Sequence, residues 1–438
     1  MGRTLDVLMF GASDRLSHLS SGLEALSLHC RSVRADSPAP IKSRYWAAGV
    51  IMADTADDVS AGLDAFKRFA HRDLPVIVLS HDRFELDPRV DSWIHDPAPA
   101  IQVAARIRAL FRLHAMEDIA RRRADVTALY GRRPFEIEPI EGDPQILYVG
   151  QASPRFMALQ HVMEDSGSEL TAAFSSYSAF DYLHERPFDA VVLNAEGQTD
   201  FAFTISSAMR RNARLYHTPV LLLSECDNRD SAEEAYARGV SDILPRGVDD
   251  KDVRDRVHAL TRERRRRRAA KAALDACRDT RTLDHETGLF HAGFLTSHLQ
   301  DLIQMSKDTH SPFCVCVLQT LLPDGVDAPD ETSAEKARRQ FASMLRHLLR
   351  SEDAAARFEH DTFIAVLPFT DHVGVEQVAS RVSAIADCTA FESDDPLHPF
   401  RLTVRTAASE ARPDETAEAL IERTLSRLNA PASSVAAS

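Results

Sequence analysis

Nowhere do these 438 residues string together the roughly 18 consecutive apolar residues that a membrane span requires, so no transmembrane helix is expected. Cysteine is sparse and scattered. The nearest pair of the six, Cys314 and Cys316, sits in an apolar run as Cys-Val-Cys, which is the spacing of neither a zinc knuckle nor a CxxC redox pair. They are expected as reduced core residues, with no metal and a cytoplasmic compartment. Positive charge is also short: 52 Lys and Arg against 66 Asp and Glu give a net charge of -14, which argues against general nucleic-acid binding. What is present, 44% hydrophobic and 27% charged residues, suits a globular chain with enough apolar surface to offset the entropy of ordering. At roughly 150 residues per domain, about three units are expected.

The first two units share one grammar. Apolar runs Asp6–Gly11 and Gln145–Gly150 open each half, and Gly49–Asp54 and Asp189–Asn194 follow about forty residues later, each ending in a polar residue. Leu74–Ser80 and Thr218–Ser224 form a third pair with a proline entry and a serine exit. Between them, Ala61–Arg72 and Asp230–Gly239 carry helical spacing, so each half is expected as a doubly wound parallel α/β sheet. Strand carboxyl ends in such a sheet converge on one edge, where ligand or phosphoryl chemistry sits.

At that edge the halves resemble response-regulator receiver domains, which the resemblance gives an acidic metal pair, a phosphoacceptor aspartate, a Ser/Thr and a Lys-Pro. The first half aligns Asp54 with the phosphoacceptor and Ser80 with the hydroxyl, but places Gly11 and Ala12 at the acidic pair and Asp96-Pro97 at Lys-Pro. Asp54 is thus the candidate phosphoacceptor, weighed against a solvated aspartate at a strand end. The second half has Gly150 and Gln151, Asn194, Ser224 and Arg246-Gly247 at these positions, and an amide is not a phosphosite. From Asp252 to Ala276 one long helix is expected, carrying the arginine run Arg262–Arg268. Without interleaved aromatics or a membrane-type apolar face, the run reads as a solvated connector. Docking onto an acidic partner, or onto the chain's own acidic surface, stays open as the alternative.

The last unit begins with Asp284-His285-Glu286-Thr287-Gly288-Leu289-Phe290-His291 and contains Ala356-Arg357-Phe358-Glu359-His360-Asp361-Thr362-Phe363, followed by Ile364–Pro368. These segments resemble the entry sequence and signature hairpin of GGDEF diguanylate cyclase domains. In that family two glycines let the hairpin backbone approach GTP phosphates, and carboxylates hold two magnesium ions. Here Glu359 and His360 replace the glycines, Thr362 replaces the metal-binding acid of the hairpin, and Gln319 stands where the preceding strand carries a metal-binding aspartate. Asp361 alone cannot hold two metals, and His291 replaces a guanine-reading asparagine. The resemblance therefore implies no catalytic residues and no diguanylate cyclase activity.

Upstream lies Arg350-Ser351-Glu352-Asp353, an RxxD at the register of the family's inhibitory site, with Arg381 at the place of its second arginine. A guanidinium forks onto guanine O6 and N7 or onto phosphate, and a carboxylate accepts from guanine N1 and N2. Arg350, Asp353 and Arg381 are accordingly the expected cyclic di-GMP ligands, against the alternative of a surface ion pair; Arg346 and Arg246 are weaker candidates.

The whole layout resembles PleD-type response regulators, in their degenerate, PopA-like form. The divisions expected are receiver-like units at 1–140 and 141–262, an arginine-rich helical linker at 263–283, a degenerate GGDEF domain of nucleotide-cyclase type at 284–430, and a flexible tail at 431–438. The resemblance implies a homodimeric cyclic di-GMP effector recruited to a cell pole, acting through protein contacts in proteolysis of CtrA by way of RcdA and ClpXP. A residual cyclase, a nucleotide-independent scaffold and a phosphorylation-controlled regulator are the alternatives.

Overall fold

The computed structural model describes the chain except residues 1–4, 35–44, 71–72, 83, 85–86, 133–134, 196–198, 225–228, 246, 323–330, 393–398, 413 and 430–438. Arg246 and the expected tail 431–438 lie outside the described residues. No helix among the described residues is long and apolar enough to cross a membrane.

The first unit runs β1 (Leu5–Phe10), α1 (Ser13–Glu24), β2 (Leu28–Val33), β3 (Trp46–Met52), α2 (Ala56–Phe69), β4 (Val76–Ser80), β5 (Ser92–His95) and α3 (Ala100–Ala128). Its strands are all parallel, in the order β2-β1-β3-β4-β5. That is the flavodoxin-like order expected of a doubly wound sheet. The local causes are visible in α2. Thr55 and Asp58 close a reciprocal capping box at its start, and Val59, Leu63 and Phe66 recur at helical spacing and are buried. Phe66 lies over Gly49 of β3, where an added Cβ would come within 2.4 Å of the ring. Burying that ring contributes about 2 kcal/mol.

The second unit contains β6 (Gln145–Val149), α4 (Pro154–Asp165), β7 (Glu169–Ala173), α5 (Ser176–Glu185), β8 (Ala190–Asn194), α6 (Thr199–Arg211), β9 (Val220–Leu223), α7 (Arg229–Ala237), β10 (Asp242–Leu244) and α8 (Asp250–Ala276). Its order, β10-β9-β8-β6-β7, is the same winding. The second unit has the fuller set of helices, because β4 and β5 of the first unit are joined without one among the described residues.

The third unit consists of β11 (Phe290–His291), α9 (Ala292–Thr309), β12 (Phe313–Leu321), α10 (Glu331–Leu348), β13 (Ala354–Glu359), β14 (Thr362–Pro368), α11 (His372–Cys388), β15 (Thr403–Glu410) and α12 (Ala417–Asn429). The sheet is mixed, β11-β13-β14-β12-β15. Helices α10 and α11 supply apolar residues to one face, and α9 and α12 supply them to the other.

That second face corrects the expected linker. Helix α3 buries Val103, Ile107 and Leu110 in the first unit, then runs on to bury Met116, Ile119, Ala120 and Val126 in the third. Helix α8 does the same for the second unit, with Val253, Val257 and Leu260, and then adds Ala270, Ala273 and Leu274 to the third. The boundary drawn at 262/263 thus cuts a continuous helix, and the third unit's core includes side chains from before residue 284. The arginine run is not a solvated connector either. Arg265 lies 2.9 Å from Asp189, and Arg266 lies 2.9 Å from Asp91 and 2.7 Å from Glu117, while Arg106 of α3 pairs with Glu263 in a buried contact. Arg265, Arg266 and Arg268 dock on the chain's own acidic surface, the alternative left open by the sequence.

Candidate functional site

At the strand ends of the first unit Asp54 is exposed, but its carboxylate is engaged. Arg15 of α1 reaches Asp54 Oδ1 at 2.7 Å with one nitrogen and Asp96 Oδ2 at 2.5 Å with the other. A guanidinium therefore bridges two carboxylates where a receiver would hold a cation. Gly11 has φ +147°, and a Cβ there would lie 2.8 Å from the Met52 carbonyl oxygen, so no carboxylate side chain fits without displacement. The Ser80 hydroxyl is buried, accepts from Trp93 Nε1 at 2.6 Å and donates to the Asp82 carbonyl at 2.8 Å. In the second unit Asn194 donates to the Tyr148 hydroxyl at 3.0 Å inside the fold. Among the described residues no group of three or more His, Cys, Asp or Glu side chains could hold a metal.

In the third unit the β13–β14 hairpin turns through His360 and Asp361, pairing Glu359 with Thr362. Thr362 is also the cross-strand partner of Gln319, so the two neutral side chains are adjacent. Around them charge closes on itself. Arg338 of α10 reaches Glu286 at 2.9 Å, Glu331 at 2.6 Å and Asp361 at 3.8 Å, and Arg357 pairs with the other oxygen of Glu286 and lies 3.2 Å from His360 Nδ1. The two arginines hold the Glu286 carboxyl below the usual carboxylate range, against its burial. His291 serves as the N-cap of α9: its Nδ1 accepts from the Phe294 amide at 3.1 Å, which leaves Nε2 to donate to the Arg281 carbonyl at 3.0 Å. Both ring nitrogens are thereby used internally. Arg338 and Glu286, which organise this network, were not singled out in the sequence because their spacing of 52 residues has no local signature.

The RxxD loop lies between the end of α10 and β13. Asp353 is 7% exposed; its Oδ2 accepts from the Arg350 amide at 2.8 Å, and its Oδ1 has no hydrogen-bond partner. Burial, together with the neighbouring Glu352, pushes its carboxyl up to about 7. Arg123, fully buried on α3, donates to the carbonyls of Ser351 at 3.3 Å and Glu352 at 2.6 Å, and burial lowers its guanidinium to about 10. The loop's backbone is thus held by a side chain more than two hundred residues away.

Arg350 and Asp353 line a cavity of about 370 Å³ together with Arg278, Arg346 and Lys271. Arg381 does not line it. Its side chain is exposed on α11 and donates to the Leu348 carbonyl at 2.7 Å, behind the loop. The structure therefore brings together two of the three expected ligands and adds Arg278 and Lys271, which the sequence reading missed. Their signal was the small-apolar spacing of Ala270, Ala273 and Leu274, which continues α8 into the third unit and carries its neighbours there.

Residues 281–430 match the family described as diguanylate cyclase, GGDEF domain. The chain is 22% identical over 362 residues to response regulator PleD of Caulobacter vibrioides, covering 80% of this chain and 79% of that protein. Among solved structures, the GGDEF domain of DgcB from Caulobacter crescentus, in complex with c-di-GMP, is 18% identical over 35% of this chain and 88% of its own, with a TM-score of 0.32. Diguanylate cyclase SiaD from Pseudomonas aeruginosa, in complex with its activator SiaC, is 17% identical over 64% and 87%, with a TM-score of 0.33. Residues 281–430 are accordingly a GGDEF domain, carried by a chain that is similar over most of its length to a response regulator.

Proposed function

We propose that this chain is a cyclic di-GMP receptor without diguanylate cyclase activity, which binds the dinucleotide at the Arg350–Asp353 loop and acts through protein contacts. The observation that carries the reading is the unpartnered, buried Asp353 Oδ1 in a cavity lined by arginines. A carboxylate oxygen there suits the N1 and N2 hydrogens of guanine, and the guanidinium of Arg350 suits its O6 and N7. The catalytic frame points the same way: Gln319 and Thr362 supply neutral oxygens, and Asp361 faces Arg338, so two magnesium ions find too few carboxylates. Arg15, seated between Asp54 and Asp96, supports a first receiver unit that is not switched by phosphorylation. Recruitment to a cell pole and delivery of CtrA to proteolysis, with a homodimer as the acting species, extend this reading on the PopA-like resemblance alone.

Titration calorimetry of cyclic di-GMP against the full chain tests it. Binding at micromolar Kd or tighter, about 8 kcal/mol or more, is expected. Absence of heat would favour a nucleotide-independent scaffold, and turnover of GTP to cyclic di-GMP with magnesium or manganese would end the claim of catalytic silence.

A further inference from the structure

The cavity at the RxxD loop has a second wall that the loop does not provide. Arg278 stands two residues beyond α8, and Arg346 lies in the last turn of α10; both line the space that Arg350 and Asp353 line. Among the described residues, no carboxylate lies within ion-pair distance of Arg278, Arg346 or Arg350. This is unusual in a chain with 66 acidic residues and a net charge of -14. Larger cavities of about 560 and 850 Å³ border the arginines of α8, but there Arg266 already has Asp91 and Glu117, and Arg265 has Asp189. Lys271 and Asp275, which also line the smaller cavity, are 3.0 Å apart and pair with each other.

Arg278 is also fixed in place. It donates to the Gly288 carbonyl and lies 5.2 Å from the centroid of the Phe290 ring, so its fork is held with little rotamer freedom left to lose. Burial and the neighbouring charge of Arg346 lower its guanidinium, and Asp275 offsets them only in part. Two guanidiniums repel across the cleft, and although Asp275 and Asp353 also line it, neither is within ion-pair distance of them, so an anion seated there would relieve the repulsion.

We propose that Arg278 and Arg346 form an anion subsite for the phosphodiester of the cyclic dinucleotide, so that the ligand spans from the RxxD loop to the end of α8. This rests on the ligand reading above and deepens it. The guanine edge meets Arg350 and Asp353, while a phosphate accepts from the two forks opposite. Because α8 begins in the second unit, an occupied cavity ties that unit's last helix to the GGDEF domain.

The experiment is calorimetry on the full chain with R278A, R346A, R350A and R381A across a series of salt concentrations. R278A and R346A are each expected to weaken cyclic di-GMP about tenfold and to flatten its salt dependence, since each removes one charge–phosphate contact. R381A is expected to change affinity less than about threefold, as for an exposed side chain outside the cavity. Arg346 is exposed, so its loss should leave the melting temperature unchanged; R278K retains charge without the fork and separates a folding defect at Arg278 from a lost contact. If R350A abolishes binding while R278A and R346A bind as wild type with an unchanged salt slope, the subsite is wrong and the receptor reading stands. If the wild-type chain does not bind cyclic di-GMP, the receptor reading falls. Inorganic pyrophosphate is then the probe: binding lost in R278A and R346A keeps an anion site, and no binding removes it.

Discussion

Two regions of the GGDEF domain use arginine in opposite ways. At the signature hairpin, Arg338 and Arg357 share Glu286 and extend to Glu331, Asp361 and His360, so each guanidinium is already answered by the chain. At the RxxD loop, Arg278, Arg346 and Arg350 face a cavity without a paired carboxylate, beside a buried aspartate oxygen that nothing contacts. A closed charge network has no unmet need that a ligand could satisfy. An open one carries a desolvation cost in the free protein that an anion with N–H donors would offset. That difference is what the proposed receptor reading rests on.

The largest test of that contrast is R350A. It is expected to lower affinity for cyclic di-GMP at least about 100-fold by calorimetry, the loss of a charge-assisted contact that also leaves its ligand partner unpaired. Retained affinity would place the open region's purpose elsewhere.

Next in size is Arg123→Met. Losing two charge-assisted bonds to the carbonyls of Ser351 and Glu352 is expected to cost about 2 kcal/mol in the stability of the third unit, read by denaturant melts, with weakened ligand binding. An unchanged melt and unchanged affinity would mean that the loop holds its shape without α3.

A smaller, directional effect comes from Asp353, whose carboxyl lies near 7 in the fold against an ordinary value of 3.8. Its ionised form accepts from guanine, so affinity should rise as pH rises through 7, and fall about tenfold per pH unit well below it. Unliganded stability should move the other way. A carboxyl raised by folding favours the native state at low pH, and that contribution is lost as pH climbs from about 4 towards 7. Asp353→Asn should flatten both profiles; a pH-independent Kd in the wild type would exclude Asp353 as the acceptor.

The smallest effect belongs to the closed region. Glu359→Ala, exposed on the hairpin, should leave affinity within about twofold, the range of a surface charge outside the site. A large loss there would mean that the two regions are coupled.

Much of the fold was legible because it is written locally. The runs DVLMFG and QILYVG became β1 and β6, GVIMAD and DAVVLN fell on β3 and β8, and the helical spacing around Leu63 and Phe66 became α2. The cross-strand pairing of Gln319 with Thr362 follows from strands whose register the hydrophobic pattern already fixes. Arg381 shows where this stops. Its helical position was read correctly, yet its guanidinium turns to the Leu348 carbonyl and not into the cavity, a choice made by side-chain packing.

The amino-acid sequence by itself determined the alternation of strands and helices, the two parallel sheets and the neutral residues Gln319 and Thr362, since periodicity and residue identity act over a few neighbours. Only the tertiary structure decided that α3 and α8 complete the third core, that the arginine run is spent on Asp189, Asp91 and Glu117, and that Arg278 and Arg346 face the loop uncompensated. Those outcomes depend on which groups meet across many tens of residues of chain, as between the charges of Arg266 and Glu117 or between Arg123 and the backbone carbonyl of Glu352, and no short-range pattern encodes that meeting.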